Sequence, residues 1–125
     1  MSTFKKIESE KYLIESSLFF AVYDSYPVSK GHVLIISKSE KEDYFELNLD
    51  ERLELQEFIL EVKELLEKLY SPDGYNIGMN CGKIAGQTIM HFHCHVIPRF
   101  KGDMKNPDGG IRHCIEGKGY YETIK

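Results

Sequence analysis

No run of apolar residues in this chain approaches the ~20 needed to cross a bilayer as a helix. Its first residues, MSTFKKIESEKY, lack the apolar centre of a signal peptide, so the sequence predicts a cytoplasmic protein with no membrane partner. Positive charge is in short supply as well. Sixteen Lys and Arg against 20 Asp and Glu leave a formal net charge of −4. That balance speaks against a nucleic-acid partner, which needs a basic surface. A small anionic ligand stays open, because a local cluster of donors is sufficient for one. Cysteine is sparse: Cys81, Cys94 and Cys114 are odd in number, far apart and form no C-x-x-C pair. They read as reduced thiols, with no support for a structural zinc knuckle. Repeats, low-complexity tracts and linkers rich in Pro, Gly or Ser are absent. Residues 1–125 therefore read as a single domain, long enough for a core without staples.

What is present begins with strands. KYLIES and LFFAVYD flank the Ser16-Ser17 turn and predict a hairpin, and after the turn chemistry of SYPVSKG comes GHVLIISK, an apolar strand expected to be buried on both faces. Ser39 with Glu42 has capping-box spacing and predicts a short helix; Asn48 with Glu51 repeats that spacing before a longer one. Leu55, Phe58, Ile59, Val62, Leu65, Leu66 and Leu69 then recur at helical intervals, ending before Ser71-Pro72-Asp73-Gly74. The Glu and Lys residues of this helix, Glu54 among them, read as a solvated face. GYNIGMN and TIMHFHCHVIPR predict two further strands joined by CGKIAGQ. In the glycine-rich tail, Tyr120 and Tyr121 are expected to dock onto the body or a neighbouring subunit. Strands, one long helix and strands again define an α+β fold with a mainly antiparallel sheet.

The stretch HFHCHVIPR, His91 to Arg99, carries three of the five histidines. On a strand, residues two apart share a face. His91, His93 and His95 would then form a row, with Phe92, Cys94 and Val96 turned to the core. Three adjacent imidazoles repel one another when protonated, so an inert row carries a cost. A metal needs its ligands to converge, and neighbours ~7 Å apart along a strand converge poorly. A phosphate suits a linear row better: one imidazole can attack phosphorus while others donate hydrogen bonds. Upstream, Asn80-Cys81-Gly82-Lys83-Ile84-Ala85-Gly86-Gln87-Thr88 offers amides, a hydroxyl and glycines that would let main-chain N–H groups approach an anion.

His91-Phe-His93-Cys-His95-Val-Ile resembles the signature of the histidine triad (HIT) family. The similarity extends to Tyr26-Pro27-Val28-Ser29-Lys30-Gly31-His32-Val33-Leu34-Ile35, to Gly86-Gln87-Thr88 and to Asn106-Pro107-Asp108-Gly109-Gly110-Ile111-Arg112. The resemblance implies a five-stranded antiparallel sheet with one long and one short helix, a homodimer, and a purine-nucleotide cleft beside the triad. It further implies hydrolysis at the α-phosphate through a nucleotidyl-histidine, releasing a nucleoside monophosphate; no metal or cofactor is expected. His93 would be the nucleophile and His95 the donor to phosphate oxygens, with His91 and His32 supporting them. Asn80, Gly86, Gln87 and Thr88 would contact phosphate or leaving-group oxygens, and Asp24 the ribose hydroxyls; Phe20, Val22 and Leu18 would help wall the purine slot or belong to the core. Asn80 is similar to the nucleoside phosphoramidase branch, whereas the Gly31-His32-Val33-Leu34 strand is similar to the dinucleoside polyphosphate branch. His95, in place of a glutamine, favours hydrolysis over nucleotidyl transfer. The cysteine pair with which some relatives bind zinc is missing, and His113-Cys114 reads as an ordinary loop. The alternative is a purine-nucleotide-binding or interaction protein that does no chemistry.

Overall fold

The computed structural model describes residues 2–121. Five antiparallel strands form one sheet in the order β1-β2-β3-β5-β4: β1 is Ile14–Glu15, β2 Phe19–Tyr23, β3 Val33–Ser37, β4 Gly74–Gly78 and β5 His93–Arg99. Among the described residues the one α-helix, α1, spans Leu49–Tyr70. The β1–β2 hairpin turns at Ser16-Ser17, and Glu54 holds that turn. Its carboxylate accepts from both serine hydroxyls and from the Leu18 N–H, each at 2.6 Å. Glu54 is thus a turn clamp rather than part of a purely solvated face.

Helix α1 starts where the capping box predicts. Asn48 Oδ1 accepts from the Glu51 N–H at 2.9 Å, and Glu51 Oε1 accepts from the Asn48 N–H at 2.8 Å. It stops at Ser71, which takes the left-handed conformation at φ 48° ahead of Pro72. The short helix expected at Ser39 does not form. Ser39 instead donates its hydroxyl to Glu51 Oε2 at 2.6 Å, and a 3-10 turn over Tyr44–Glu46 follows, capped by Asp43. Burial alone would raise the Glu51 carboxyl pKa. The Ser39 hydroxyl, the Asn48 N–H and Lys41 outweigh that and hold it below the usual range.

Cross-strand partners share a face, so the register defines two surfaces. Ala21, Ile35 and Cys94 line up on one, where Leu55, Phe58, Val62 and Leu66 of α1 close the larger core with Phe19, Val33, Phe92 and Val96. Each buried Val, Leu, Ile or Phe side chain among them contributes roughly 1.5–3 kcal/mol. Leu18 packs against this core rather than a nucleotide slot. On the opposite face lie the rows Phe20–Ile36–His93 and Val22–Leu34–His95. Phe4, from a 3-10 turn over Thr3–Lys6, covers part of it and completes a second cluster with Phe20, Val22, Leu34 and Ile36. The whole of β3 is buried, because both faces are covered.

Gly31 admits β3 to the sheet at φ +86°; a Cβ there would come within 2.8 Å of the Tyr70 ring. The tail returns across β4 through a 3-10 turn over Gly110–Cys114, so His113 and Cys114 lie in an ordered turn. Tyr120 is half-buried against the tail itself, its hydroxyl donating to the Asn106 carbonyl at 3.1 Å. Tyr121 stays exposed under the Arg112 guanidinium, 4.4 Å from the ring centroid.

Candidate active site

The histidine row has two members on the strand rather than three. β5 begins at His93, because the Phe92 N–H leaves the sheet to donate to the Lys41 carbonyl at 2.6 Å. His91 therefore sits ahead of the strand with its ring turned inward, 1% exposed, and donates from Nε2 to the Ser37 carbonyl at 2.7 Å. That leaves Nδ1 of His91 without a partner. The main-chain carbonyl of His91 accepts from His93 Nδ1 at 2.8 Å. A carbonyl can only accept, so Nδ1 of His93 carries the proton and Nε2 keeps its lone pair. Phe4 meets the His91 and His93 rings edge-on at 5.5 and 5.1 Å between centroids, which fixes both planes.

A second chain of hydrogen bonds orders His95. The Val28 N–H donates to His32 Nδ1 at 3.1 Å. This occupies the Nδ1 lone pair, so neutral His32 carries its proton on Nε2. That N–H faces His95 Nδ1 at 2.9 Å and Asp24 Oδ2 at 3.4 Å. His95 Nδ1 consequently accepts, and its proton resides on Nε2, available to an anion. Burial lowers the pKa of His32 against the raising influence of Asp24. Burial also lowers His91 and His95, the latter aided by the charges of His32 and His93. The neutral tautomers are thus the resting forms.

Asp24 serves this cluster and its own turn. Oδ1 accepts from the Tyr26 N–H at 2.8 Å, and Oδ2 lies 3.8 Å from His95 Nδ1. Asp24 also lines a cleft of about 780 Å3 with Val22, Ile7, Lys6 and Lys11, large enough for a nucleoside. Of the three residues expected at the purine slot, Phe20 and Val22 stand on this face. Asp24, His32 and His95 bring three ligand-type atoms within 4.8 Å of one another, the one such grouping among the described residues. The proton polarity is wrong for a cation, however. A metal-bound imidazole donates from its far nitrogen, whereas the far nitrogen of His32 already accepts from Val28. The group is a hydrogen-bond relay.

The Asn80–Thr88 loop is closed on itself more than the sequence implied. The Gly86 N–H donates to the Lys83 carbonyl at 3.0 Å, and the Gly82 N–H to Gln87 Oε1 at 2.8 Å. Gln87 is 3% exposed and fully occupied: its N–H goes to the Gly82 carbonyl, its amide to the Glu42 and Ile89 carbonyls. Gly86, at φ +98°, and Gln87 thus shape the loop without offering donors to a ligand. Thr88 and Asn80 remain exposed, with Asn80 lying against Gly86. Phe4 and Val28 are site residues that sequence reading missed. The one available signal was a lone Phe in a polar N-terminal segment; Val28 contributes only backbone. Cys94, its thiol pushed up to about 12 by burial, takes no part.

An antiparallel sheet in an α+β fold, carrying two tautomer-fixed imidazoles on one strand beside a nucleoside-sized cleft, defines a fold class with a histidine-bearing strand at its site. The chain belongs to the HIT family: the model of the HIT domain matches residues 5–102. It is 39% identical over 93 residues to an uncharacterized HIT-like protein of Methanocaldococcus jannaschii, covering 74% of this chain and 71% of that one. It is 32% identical over 110 residues to the asymmetrical bis(5'-nucleosyl)-tetraphosphatase of Schizosaccharomyces pombe, covering 83% and 60%. A hypothetical histidine triad nucleotide-binding protein from Sulfolobus tokodaii superposes with a TM-score of 0.72 at 36% identity, over 78% of this chain and 65% of that one. Of the yeast and Sulfolobus proteins, the chain spans less than two thirds of the length.

Proposed function

We propose that this protein hydrolyses a purine nucleotide conjugate at its α-phosphate, with dinucleoside polyphosphates as the substrate class. The observation that carries the reading is the His93 tautomer, since a proton held on Nδ1 by the His91 carbonyl leaves Nε2 as a nucleophile. Nε2 attacks the α-phosphorus, a P–N bond forms and the P–O bond to the leaving group breaks. His95, donating from Nε2, stabilises the charge that develops on the phosphate oxygens. Water then attacks phosphorus, the P–N bond breaks, and the nucleoside monophosphate departs. Asp24 accepts from the ribose hydroxyls, and Thr88 and Asn80 contact phosphate oxygens. Gly86 and Gln87 hold the loop that presents them. The yeast relative named as a nucleosyl-tetraphosphatase supports the polyphosphate class over a phosphoramidate. Strand β4 has one unpaired edge and an exposed Ile77, which supports a homodimer formed through that side.

The test is product analysis with diadenosine triphosphate, diadenosine tetraphosphate and adenosine phosphoramidate. Release of AMP, abolished in His93→Ala, is expected, along with a mass increase on His93 after rapid quenching. Tight AMP binding without turnover of any of the three would favour a non-catalytic nucleotide-binding protein instead.

A further inference from the structure

The reaction described above uses the main-chain carbonyl of His91 and makes no use of its ring. That ring is buried, and Nε2 donates to the Ser37 carbonyl, so the neutral imidazole keeps a bare lone pair at Nδ1. A buried acceptor without a donor is costly. His91 lines a pocket of about 150 Å3 together with Phe4, Phe20 and Ser37, all buried, and the exposed Lys5 and Lys38. The space equals roughly five waters, enough for a small oxyanion and far too little for a nucleoside. Ser37 has no donor to spare for Nδ1, since its hydroxyl goes to the Ser39 carbonyl at 2.7 Å.

We propose that this pocket binds a small oxyanion that still carries a proton, the class of hydrogen phosphate and hydrogencarbonate. The lining makes two demands at once. Its buried end needs a donor, to meet the His91 Nδ1 lone pair. Its exposed end needs acceptors and negative charge. The Lys5 ammonium has no hydrogen bond or ion pair among the described residues, and Lys38 gives one N–H to Glu15 Oε2 at 2.8 Å and keeps two. Glu40, the carboxylate whose charge also reaches His91, is engaged by the Ser2 N–H at 2.6 Å. Sulfate meets the second demand and fails the first, because it has no O–H. Water meets the first without neutralising the two ammonium groups. The site stands directly behind the reacting imidazole: the His91 carbonyl holds the His93 proton, and Phe4 packs edge-on against both rings. An anion there fastens the support of His93 from the rear, and its binding is independent of the hydrolase reading.

The experiment follows the ring nitrogens of the full chain, labelled with 15N at histidine, by NMR at neutral pH. Sodium phosphate, sodium hydrogencarbonate and sodium sulfate are titrated in turn at constant ionic strength. Phosphate and hydrogencarbonate should move the His91 Nδ1 resonance in the direction of an accepted hydrogen bond, saturably, and sulfate should leave it in place. Anion binding beside His93 and His95 shows separately, in their own ring resonances, and sulfate produces it as well. Lys5→Gln, at an exposed position that the fold does not depend on, should weaken the phosphate response at His91 about 10-fold, the lower end for one hydrogen bond to a charged group. A His91 signal that ignores all three anions means that the pocket holds water only, and overturns the proposal. An equal response to sulfate, or a phosphate affinity untouched by Lys5→Gln, overturns it too.

Discussion

Replacing His32 by alanine tests the relay most directly. His32 is 3% exposed, and its removal strips the Val28 N–H of its acceptor and His95 Nδ1 of its donor. One buried polar group left unpaired costs about 1–3 kcal/mol, and the lost side-chain packing adds to it, so destabilisation of about 2–4 kcal/mol is expected in urea unfolding. The effect on chemistry is separate. Without the His32 donor, the His95 proton can occupy either nitrogen, and the Nε2 donor is no longer preorganised. Losing one such donor costs about 10²-fold in kcat, with KM little changed. Glutamine can place an amide N–H where His32 Nε2 stood, so His32→Gln should recover most of the rate but not the Val28 bond. If both variants lose stability while kcat stays at the parent value, the relay does not act on the reaction and the tautomer reasoning is wrong.

Gly31→Ala should destabilise by about 1–3 kcal/mol in thermal or urea melts, because the φ of +86° is strained for alanine and the new Cβ meets Tyr70. Glu54→Ala removes an acceptor from three donors in the hairpin turn and should cost about 1–3 kcal/mol, while Glu57→Ala nearby costs under about 0.5. Acid should weaken the fold through His32, His91 and His95, each lowered by burial from an ordinary 6.5. The unfolded chain binds more protons between the folded and ordinary values, so their contribution is complete above 6.5 and is lost as pH falls below it. A melting temperature that stays flat as pH drops from neutrality through that window would contradict the burial of three neutral rings. Glu51 and Glu54 respond only below their ordinary 4.5, which keeps the two effects apart.

Legibility in the sequence followed how local each determinant is. The capping box at Asn48 and the helical spacing of Leu55 to Leu69 depend on neighbours a turn away, and α1 begins and ends where they indicate. The alternation from His93 to Arg99 is equally local and marks β5. His91 follows the same alternation yet turns inward, because the Lys41 carbonyl, distant in sequence, takes the Phe92 N–H. Ser39 failed as a helix cap for a similar reason: Glu51 of α1 captures its hydroxyl. Gln87 looked like a ligand contact and is a strut, since its amide finds the Glu42 carbonyl across the fold. Which nitrogen of each imidazole bears the proton is a tertiary property throughout, decided by main-chain partners that no residue pattern displays.

The relay that orients His95 starts from a peptide N–H, and the Val28 side chain is 72% exposed. Evolution can therefore write nearly any letter at position 28 without disturbing the imidazoles behind it. Proline alone, lacking that hydrogen, would cut the wire at its source.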